Sequence, residues 1–306
     1  MAISVALAHL FWERVLPVLL LIALGYLFQR RMQVDTVTLN RINLYLFVPA
    51  LALSRLLETP FSASLLGAIA LAVSLNMLAL YALSRLFSIP LRWQRTTVTT
   101  VSLGAMFGNA GNYGLPLVEL VLGRQAVSYQ ALVFVLNNLL FFTLGVALMA
   151  GSRQSLKATV RQVFSLPPVY AVTAGLLLPM LGISLPIPVV TALRYLGDGL
   201  IPVALISLGA QLAERVEVRD ATALTVAVVL RLVAAPLLMV GIVKLLGLSG
   251  VLAQTLILGA AAPTAVNTVV LAIELQVNPS LASAIVLVTT LLSAVTVTVT
   301  AFLLIA

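Results

Sequence analysis

Residues 107–117, FGNAGNYGLPL, put three glycines, two asparagines and a proline inside a strongly apolar part of the chain. Glycine and proline are the poorest residues in a helix interior. Inside a membrane, non-helical backbone survives only where protein or a water-filled cavity satisfies its polar groups. If the chain spans a membrane, this stretch therefore predicts an interrupted helix with a functional role.

The composition predicts a membrane protein. The chain has 306 residues, 62% of them hydrophobic and 8% charged, and its mean hydropathy is +1.17. Soluble domains carry about 25% charged residues. We therefore expect an all-α membrane protein with several spans. There are no cysteines and one histidine, His9, so we expect no disulfide, no metal site, no cofactor and no histidine-based catalysis.

Ten apolar stretches are long enough to cross a bilayer as helices. They lie at 12–29, 40–57, 63–86, 97–120, 126–150, 165–181, 190–212, 221–246, 252–273 and 280–305.

The basic residues between these stretches predict the orientation, because the cytoplasmic side of a membrane protein carries an excess of lysine and arginine. One side holds eleven, namely Arg30, Arg31, Arg41, Arg85, Arg92, Arg95, Arg153, Lys157, Arg161, Arg215 and Arg219. The other side holds five, namely Arg14, Arg55, Arg124, Arg194 and Lys244. Both termini are thus predicted to lie on the non-cytoplasmic side of the membrane. The high isoelectric point, about 10.4, is then a topology signal rather than a sign of nucleic-acid binding.

The two halves of the chain resemble each other. Residues 102–122 and 257–277 are identical at seven of 21 aligned positions, including Asn112 with Asn267. We therefore predict a five-helix repeat at 1–150, a cytoplasmic linker at 151–164 and a second five-helix repeat at 165–306. Because five is odd, the second repeat is inverted in the membrane. Inverted repeats around a central site are typical of transporters.

The repeat places a second helix break at AAAPTAVNT, residues 260–268, opposite the first. Two interrupted helices in corresponding positions of inverted halves indicate a binding site at the membrane midplane. Close packing of small residues is the alternative explanation for the glycines. The predicted substrate-binding residues are Asn109, Asn112, Tyr113, Gly114, Pro116, Pro263, Thr264, Asn267 and Thr268.

Further polar residues within the spans are candidates for the cavity or for ion coupling. These are Asn43, Asn137, Asn138, Asp198, Arg231 and Glu274. Asp198 and Arg231 either pair with each other or act separately, Arg231 by attracting an anion and Asp198 by titrating with a coupled proton. Glu274 lies near a span end, where a solvated role competes with cation binding.

These motifs together resemble the auxin efflux carrier family, which contains bacterial carriers and plant PIN-type carriers. GNAGNYGLPL is similar to the family's fourth-span motif, with Asn109, Gly114 and Pro116. APTAVNTVVLAIELQVNP is similar to the ninth-span motif, and LNRINLYLFVPALALSRL, with Pro49, resembles the second span. The resemblance covers essentially the whole chain.

The resemblance implies a fold like that of the bile acid:sodium symporters. Spans 1, 2, 6 and 7 would form a scaffold and a homodimer interface. Spans 3–5 and 8–10 would form a mobile domain, with broken helices 4 and 9 crossing in it. Transport would follow an elevator motion. Unlike the plant carriers, this chain has no long loop between its halves, which puts auxin itself in doubt.

The leading functional hypothesis is a secondary transporter or uniporter for a small organic anion, such as malonate, malate or an indole acid, in the inner membrane. A sodium-coupled symporter and a non-transporting ligand sensor are the alternatives. Coupling to protons and voltage-driven uniport both stay open. The sequence contains no GxxxxGK[ST] nucleotide-binding loop, so ATP is not expected to drive transport directly. A channel or an enzyme is disfavoured.

Overall fold

The computed structural model of the chain describes residue 9 and residues 11–58, 62–141, 164, 167–213, 220–274 and 276–305. Within these ranges the protein is helical and has no strand beyond one isolated backbone bridge. The all-α prediction is confirmed. The predicted linker lies outside the described residues, apart from Phe164.

The helices, in chain order, are α1 (Leu16–Met32), α2 (Thr36–Leu57), α3 (Ala63–Leu91), α4a (Arg95–Met106), α4b (Leu115–Leu122), α5 (Arg124–Leu140), α6 (Pro167–Met180), α7 (Ile187–Leu212), α8 (Ala221–Leu245), α9a (Gly250–Ala260), α9b (Asn267–Glu274) and α10 (Pro279–Ile305). Short π-helical turns lie at Phe11–Val15, Asn43–Phe47, Ala110–Gly114 and Leu230–Ala234.

Five of the described helices, α2, α3, α7, α8 and α10, are long and apolar enough to cross a membrane, while α6 and α9a are shorter apolar helices. Their outer surface is apolar as well. Ile187, Leu245 and Leu303 are 82%, 80% and 72% exposed, respectively. Such a surface suits a bilayer, because lipid chains rather than water then contact the apolar side chains.

The start of α2 is fixed by a side-chain cap just outside the membrane-spanning stretch. Asp35 accepts hydrogen bonds from the backbone N–H of Val37 over 3.0 Å and from the Thr38 hydroxyl over 2.5 Å. The Thr38 bond, followed by the Val37 bond, lowers the pKa of Asp35. The ionised carboxylate therefore remains the capping form at neutral pH.

Helices α1, α2, α6 and α7 pack together as one set. The second half of α7 packs along α1, and its first half packs with α6 on α2. Glycines allow the closest of these approaches. A Cβ atom at Gly209 would lie 1.9 Å from the carbonyl oxygen of Ile22, and one at Gly25 would lie 2.1 Å from that of Ile206. The α1–α7 contact therefore depends on backbone meeting backbone.

The remaining helices form the second set. Helix α3 packs on α4a, and α8 packs on α9a, so each half-helix has the preceding helix beside it. Helix α5 contacts α9a, and α10 contacts α4a, which joins the two halves. The set meets the first one where α5 packs on α2 and where the turn Ala110–Gly114 packs on α7.

Candidate functional site

The two helix breaks lie side by side and pair through their backbones. Gly108 and Thr264 form an antiparallel bridge. It is flanked by two hydrogen bonds, from the N–H of Asn109 to the carbonyl of Pro263 over 2.7 Å and from the N–H of Ala265 to the carbonyl of Phe107 over 2.9 Å. Each break thus satisfies polar groups that the other exposes, as a low-dielectric interior requires. We call this bridge and its flanking residues, 107–109 and 263–265, the crossover.

Thr264 ties the crossover to its surroundings. Its hydroxyl donates to the carbonyl of Gly104 in α4a over 2.8 Å, and its N–H donates to the hydroxyl of Thr289 in α10 over 3.1 Å. The residue is fully buried. These bonds satisfy two backbone groups, the carbonyl of Gly104 and the N–H of Thr264 itself. Thr264 therefore supports the structure beside the site.

A cavity of about 320 Å³ lies next to the crossover. Six asparagines line it, namely Asn40, Asn109, Asn112, Asn137, Asn138 and Asn267. All but Asn40 were predicted from the sequence, and these five come from α5 and from both breaks. Three phenylalanines, Phe107, Phe134 and Phe141, add an apolar wall. The mixture of apolar walls with a few converging polar groups is typical of small-molecule sites.

Asn109, one of the lining residues, has a buried side-chain donor without a partner among the described residues. Its backbone is held at both ends, because its N–H bonds Pro263 and its carbonyl accepts from the N–H of Gly114 over 2.8 Å. Its side chain is buried, yet Nδ2 has no hydrogen-bond partner among the described residues. A buried donor without a partner is costly unless a ligand or water satisfies it.

One of the described lining residues is charged, and it is cationic. Arg41 of α2 is exposed and contributes to the cavity edge. Beside it, the Asn40 side-chain oxygen accepts bonds from Ser207 over 2.9 Å and from Gln211 over 2.7 Å, which joins α2 to α7 at this edge. In the sequence, Arg41 serves only as a topology signal, and nothing there indicates that it lines a cavity.

Several predicted site residues lie outside the lining. Tyr113 is fully buried, and its hydroxyl accepts a hydrogen bond from Ser293 of α10 over 3.0 Å. Thr268 donates to the carbonyl of Ala265 over 2.7 Å. Three more predicted residues are buried at or beside the helix breaks, namely Gly114, Pro116 and Pro263.

Gly114 allows a side chain to reach the break. A Cβ atom there would lie 2.5 Å from Nε2 of Gln130, which donates to the carbonyl of Ala110 over 3.0 Å. Gln130 is therefore a supporting residue that the sequence analysis did not single out. Asn43 lies in the π-helical turn of α2, where its buried amide has no partner among the described residues. The side chain of Glu274 lies outside the described part of the chain.

Asp198 and Arg231 are not a pair. Asp198 lies 3.2 Å from the guanidinium of Arg55, which also bonds Glu119 over 3.2 Å. This three-residue cluster joins α2 and α7 to α4b. Arg231 is buried elsewhere, against the backbone carbonyls of Ala105 and Ala262 next to the crossover. The pairing considered from the sequence therefore does not form, and Asp198 instead has a different cation.

A family model described as "Membrane transport protein" matches residues 10–301 of the chain. The chain belongs to this family. A relative from Rhizobium meliloti (strain 1021), named "Putative malonate transporter", is 32% identical over 298 residues, which cover 93% of this chain and 92% of the relative. An "Uncharacterized transporter" from Methanothermobacter thermautotrophicus (strain ATCC 29096 and synonyms, Delta H) is 28% identical over 294 residues, covering 92% and 95%.

The family membership confirms the predicted relationship to bacterial auxin efflux carriers. The protein is a multi-pass membrane transporter, not an enzyme. Its substrate is a small molecule. The predicted membrane and transport character of the chain is likewise confirmed.

Proposed function

We propose that the protein carries a small dicarboxylate of the malonate class across the cytoplasmic membrane by alternating access. The observation that carries this proposal is the cavity beside the crossover, where six asparagines line a space of about 320 Å³ and Arg41 supplies positive charge. Amide N–H groups and a guanidinium both donate hydrogen bonds to carboxylate oxygens. No carboxylate among the described lining residues opposes an anion.

Two separated groups of donors suit a substrate with two carboxylates. Arg41 lies at one edge of the cavity, and Asn109, with its unpartnered Nδ2, lies at the crossover. A charge-assisted bond to Arg41 would hold one carboxylate, and the amides of the breaks would hold the other. The name of the Rhizobium relative supports malonate as the first substrate to test.

The transport mechanism we infer is an elevator motion of one helix set against the other. The reciprocal packing supports two inverted repeats with ten spans. The contact of α1 with α7 corresponds to that of α6 with α2. In the same way, the packing of α3 on α4a corresponds to that of α8 on α9a. The first set is the proposed scaffold, through which we propose that two protomers associate. The second set, which contains both breaks, is the proposed moving domain.

The cavity in this arrangement faces the cytoplasm if the charge distribution sets the orientation. Arg41 belongs to the connections that carry the excess of positive charge. On the opposite side, the Arg55 cluster joins α2 and α7 of the first set to α4b of the second, and we infer that this contact closes the pathway there. The state is therefore inward-facing, with both termini outside.

The decisive experiment is uptake of radiolabelled malonate into proteoliposomes, run with imposed sodium, pH and voltage gradients. We expect saturable uptake that succinate and malate inhibit in competition and that Asn109→Ala and Asn267→Ala abolish. The gradient that drives accumulation identifies the coupling. Binding of malonate to folded protein without any flux would support a ligand sensor instead. Uptake that requires a sodium gradient would favour the symporter alternative.

A further inference from the structure

The half-helices α4a and α9a end next to each other in the protein interior. The C-terminus of a helix carries the equivalent of about half a negative charge, because its last carbonyl groups have no partners within the helix. Two such ends meeting away from water repel each other. They require donors, and a cation satisfies them best.

Arg231 supplies that cation. It lies in the π-helical turn Leu230–Ala234 of α8, and it is 3% exposed. Its guanidinium donates to carbonyl groups of both breaks, namely from Nε to Ala262 over 3.0 Å, from Nη1 to Ala105 over 3.0 Å and Met106 over 3.4 Å, and from Nη2 to Ala260.

The other terminal carbonyls of α4a are satisfied without Arg231. Leu103 accepts from the N–H of Phe107 over 3.2 Å, and Gly104 accepts from the Thr264 hydroxyl over 2.8 Å. In α9a, Ile257 and Leu258 accept from the N–H of Ala261, and Gly259 accepts from that of Ala262. The guanidinium therefore fills the remaining acceptor positions at both helix ends.

The charge of Arg231 is met by these helix ends and not by an acid. The ion pairs of the described residues involve other basic side chains, and the Arg55 cluster holds Asp198 and Glu119. Gly108 is shaped around the guanidinium, since a Cβ atom there would lie 3.1 Å from Nη2. A cavity of about 30 Å³, lined in part by Asn76 and Asn137, adjoins the same group.

We propose that Arg231 is a tethered cation that occupies a cation-binding site formed by the two helix C-termini. The crossover is then electrostatically complete without a bound metal ion, and removing the side chain leaves a latent site for a free planar cation of the guanidinium class. Arg231 is thus a positioning residue that holds the two breaks together. This inference does not depend on which substrate is carried.

The test is chemical rescue of Arg231→Ala in detergent, read by thermal unfolding of the purified full chain. We expect the variant to unfold at least about 5 °C below the wild type, because it leaves several buried carbonyls unpaired. Guanidinium chloride at roughly 10 mM should restore a large part of that loss by binding the folded state. It should not stabilise the wild type, whose site is filled.

Urea and sodium chloride at the same concentration are the matched probes. Urea has the planar shape of guanidinium without its charge, and sodium has the charge without the shape. Stabilisation by guanidinium alone, in the variant alone, supports the proposal. Equal stabilisation by urea or sodium, stabilisation of the wild type to the same extent, or no rescue of the folded variant would overturn it.

Two further variants answer the question if Arg231→Ala does not fold. Arg231→Lys keeps a charged donor, whereas Arg231→Gln keeps a neutral one. We expect the lysine variant to unfold at a higher temperature than the glutamine variant. It should also yield more monodisperse protein after solubilisation, in the absence of malonate. A glutamine variant that equals or exceeds the lysine variant would show that charge is not what the crossover requires, and would overturn the proposal.

Discussion

The backbone N–H of Asn109 donates to the carbonyl of Pro263 over 2.7 Å, while the side-chain Nδ2 of the same asparagine has no partner among the described residues. The first contact joins the two helix breaks, and the second group is a buried donor of a residue that lines the cavity. In the proposed site, structure and ligand binding are therefore divided between the backbone and the side chain of one residue. A substitution can separate them.

Asn109→Ala should abolish measurable malonate uptake at low substrate concentration and leave the fold intact. The alanine keeps both backbone bonds and removes a donor that nothing in the described protein satisfies. A lost hydrogen bond to a charged substrate corresponds to about a tenfold to hundredfold loss of affinity. Malonate uptake and thermal unfolding, measured on the same preparation, check this prediction.

Tyr113→Phe is the matched control for that experiment. It removes a hydroxyl that bonds Ser293 away from the cavity lining, so it should cost about 1 kcal/mol of stability and spare transport. An Asn109 variant that unfolds at a lower temperature would contradict its assignment as a binding residue. A Tyr113 variant that folds normally but loses uptake would contradict its assignment as a structural residue.

Arg41→Gln should raise the KM for a dicarboxylate with little change in the maximal rate at saturation. Arg41 is exposed, so solvent screens its charge, and we expect an increase of roughly threefold to tenfold. The increase should shrink as ionic strength rises. Arg31→Gln is the control, because Arg31 lies at the end of α1 and is not part of the cavity lining. Equal effects of both substitutions would point to a general surface charge.

Thr264→Val should destabilise the protein, whereas Thr264→Ser should not. Valine has nearly the shape of threonine but leaves the buried carbonyl of Gly104 without its 2.8 Å donor, at a cost of about 1–3 kcal/mol. Serine keeps the hydroxyl. Thermal unfolding of the two variants measures the difference directly, and similar transition temperatures would mean that this bond contributes little.

Glu119→Gln should cost more stability than Asp198→Asn, although both carboxylates lie 3.2 Å from the Arg55 guanidinium. The Glu119 side chain is 17% exposed and that of Asp198 is 55% exposed. Solvent screens the second pair, which we expect to contribute less than about 1 kcal/mol. The first should contribute roughly 1–3 kcal/mol. The opposite order in thermal unfolding would place the stabilising charge on Asp198.

Gly209→Ala should disrupt the packing of α1 on α7. Its Cβ would lie 1.9 Å from the carbonyl oxygen of Ile22, and backbone cannot move aside as a side chain can. We expect a loss of at least about 2 kcal/mol. Gly67→Ala is the control, since nothing lies within 4 Å of a Cβ there, and alanine should stabilise α3 by about 0.5–1 kcal/mol. A folded, fully stable Gly209→Ala protein would contradict the described contact.

The sequence predicted the helix breaks because their causes are local. Gly108, Gly111 and Pro116 oppose helix wherever they stand in an apolar segment, and the repeat located the second break at Pro263. The same reasoning found Asn109, Asn112 and Asn267 of the cavity lining, while Asn137 and Asn138 were found as polar residues within a span, and Asn40 was not singled out. It did not separate Asn109, which lines the cavity, from Tyr113, which bonds Ser293, because the direction of a side chain outside a regular helix does not follow a period.

The sequence by itself determined the membrane class, the helical content and the positions of the interrupted segments, since composition and backbone preference act within a few residues of each other. Only the tertiary structure decided the partners of the charged groups. Arg231 meets the carbonyls of Ala105 and Ala260, and Asp198 meets Arg55, across contacts between distant parts of the chain. Electrostatic pairing in a low dielectric depends on distances of a few ångströms, and those distances are set by how whole helices pack.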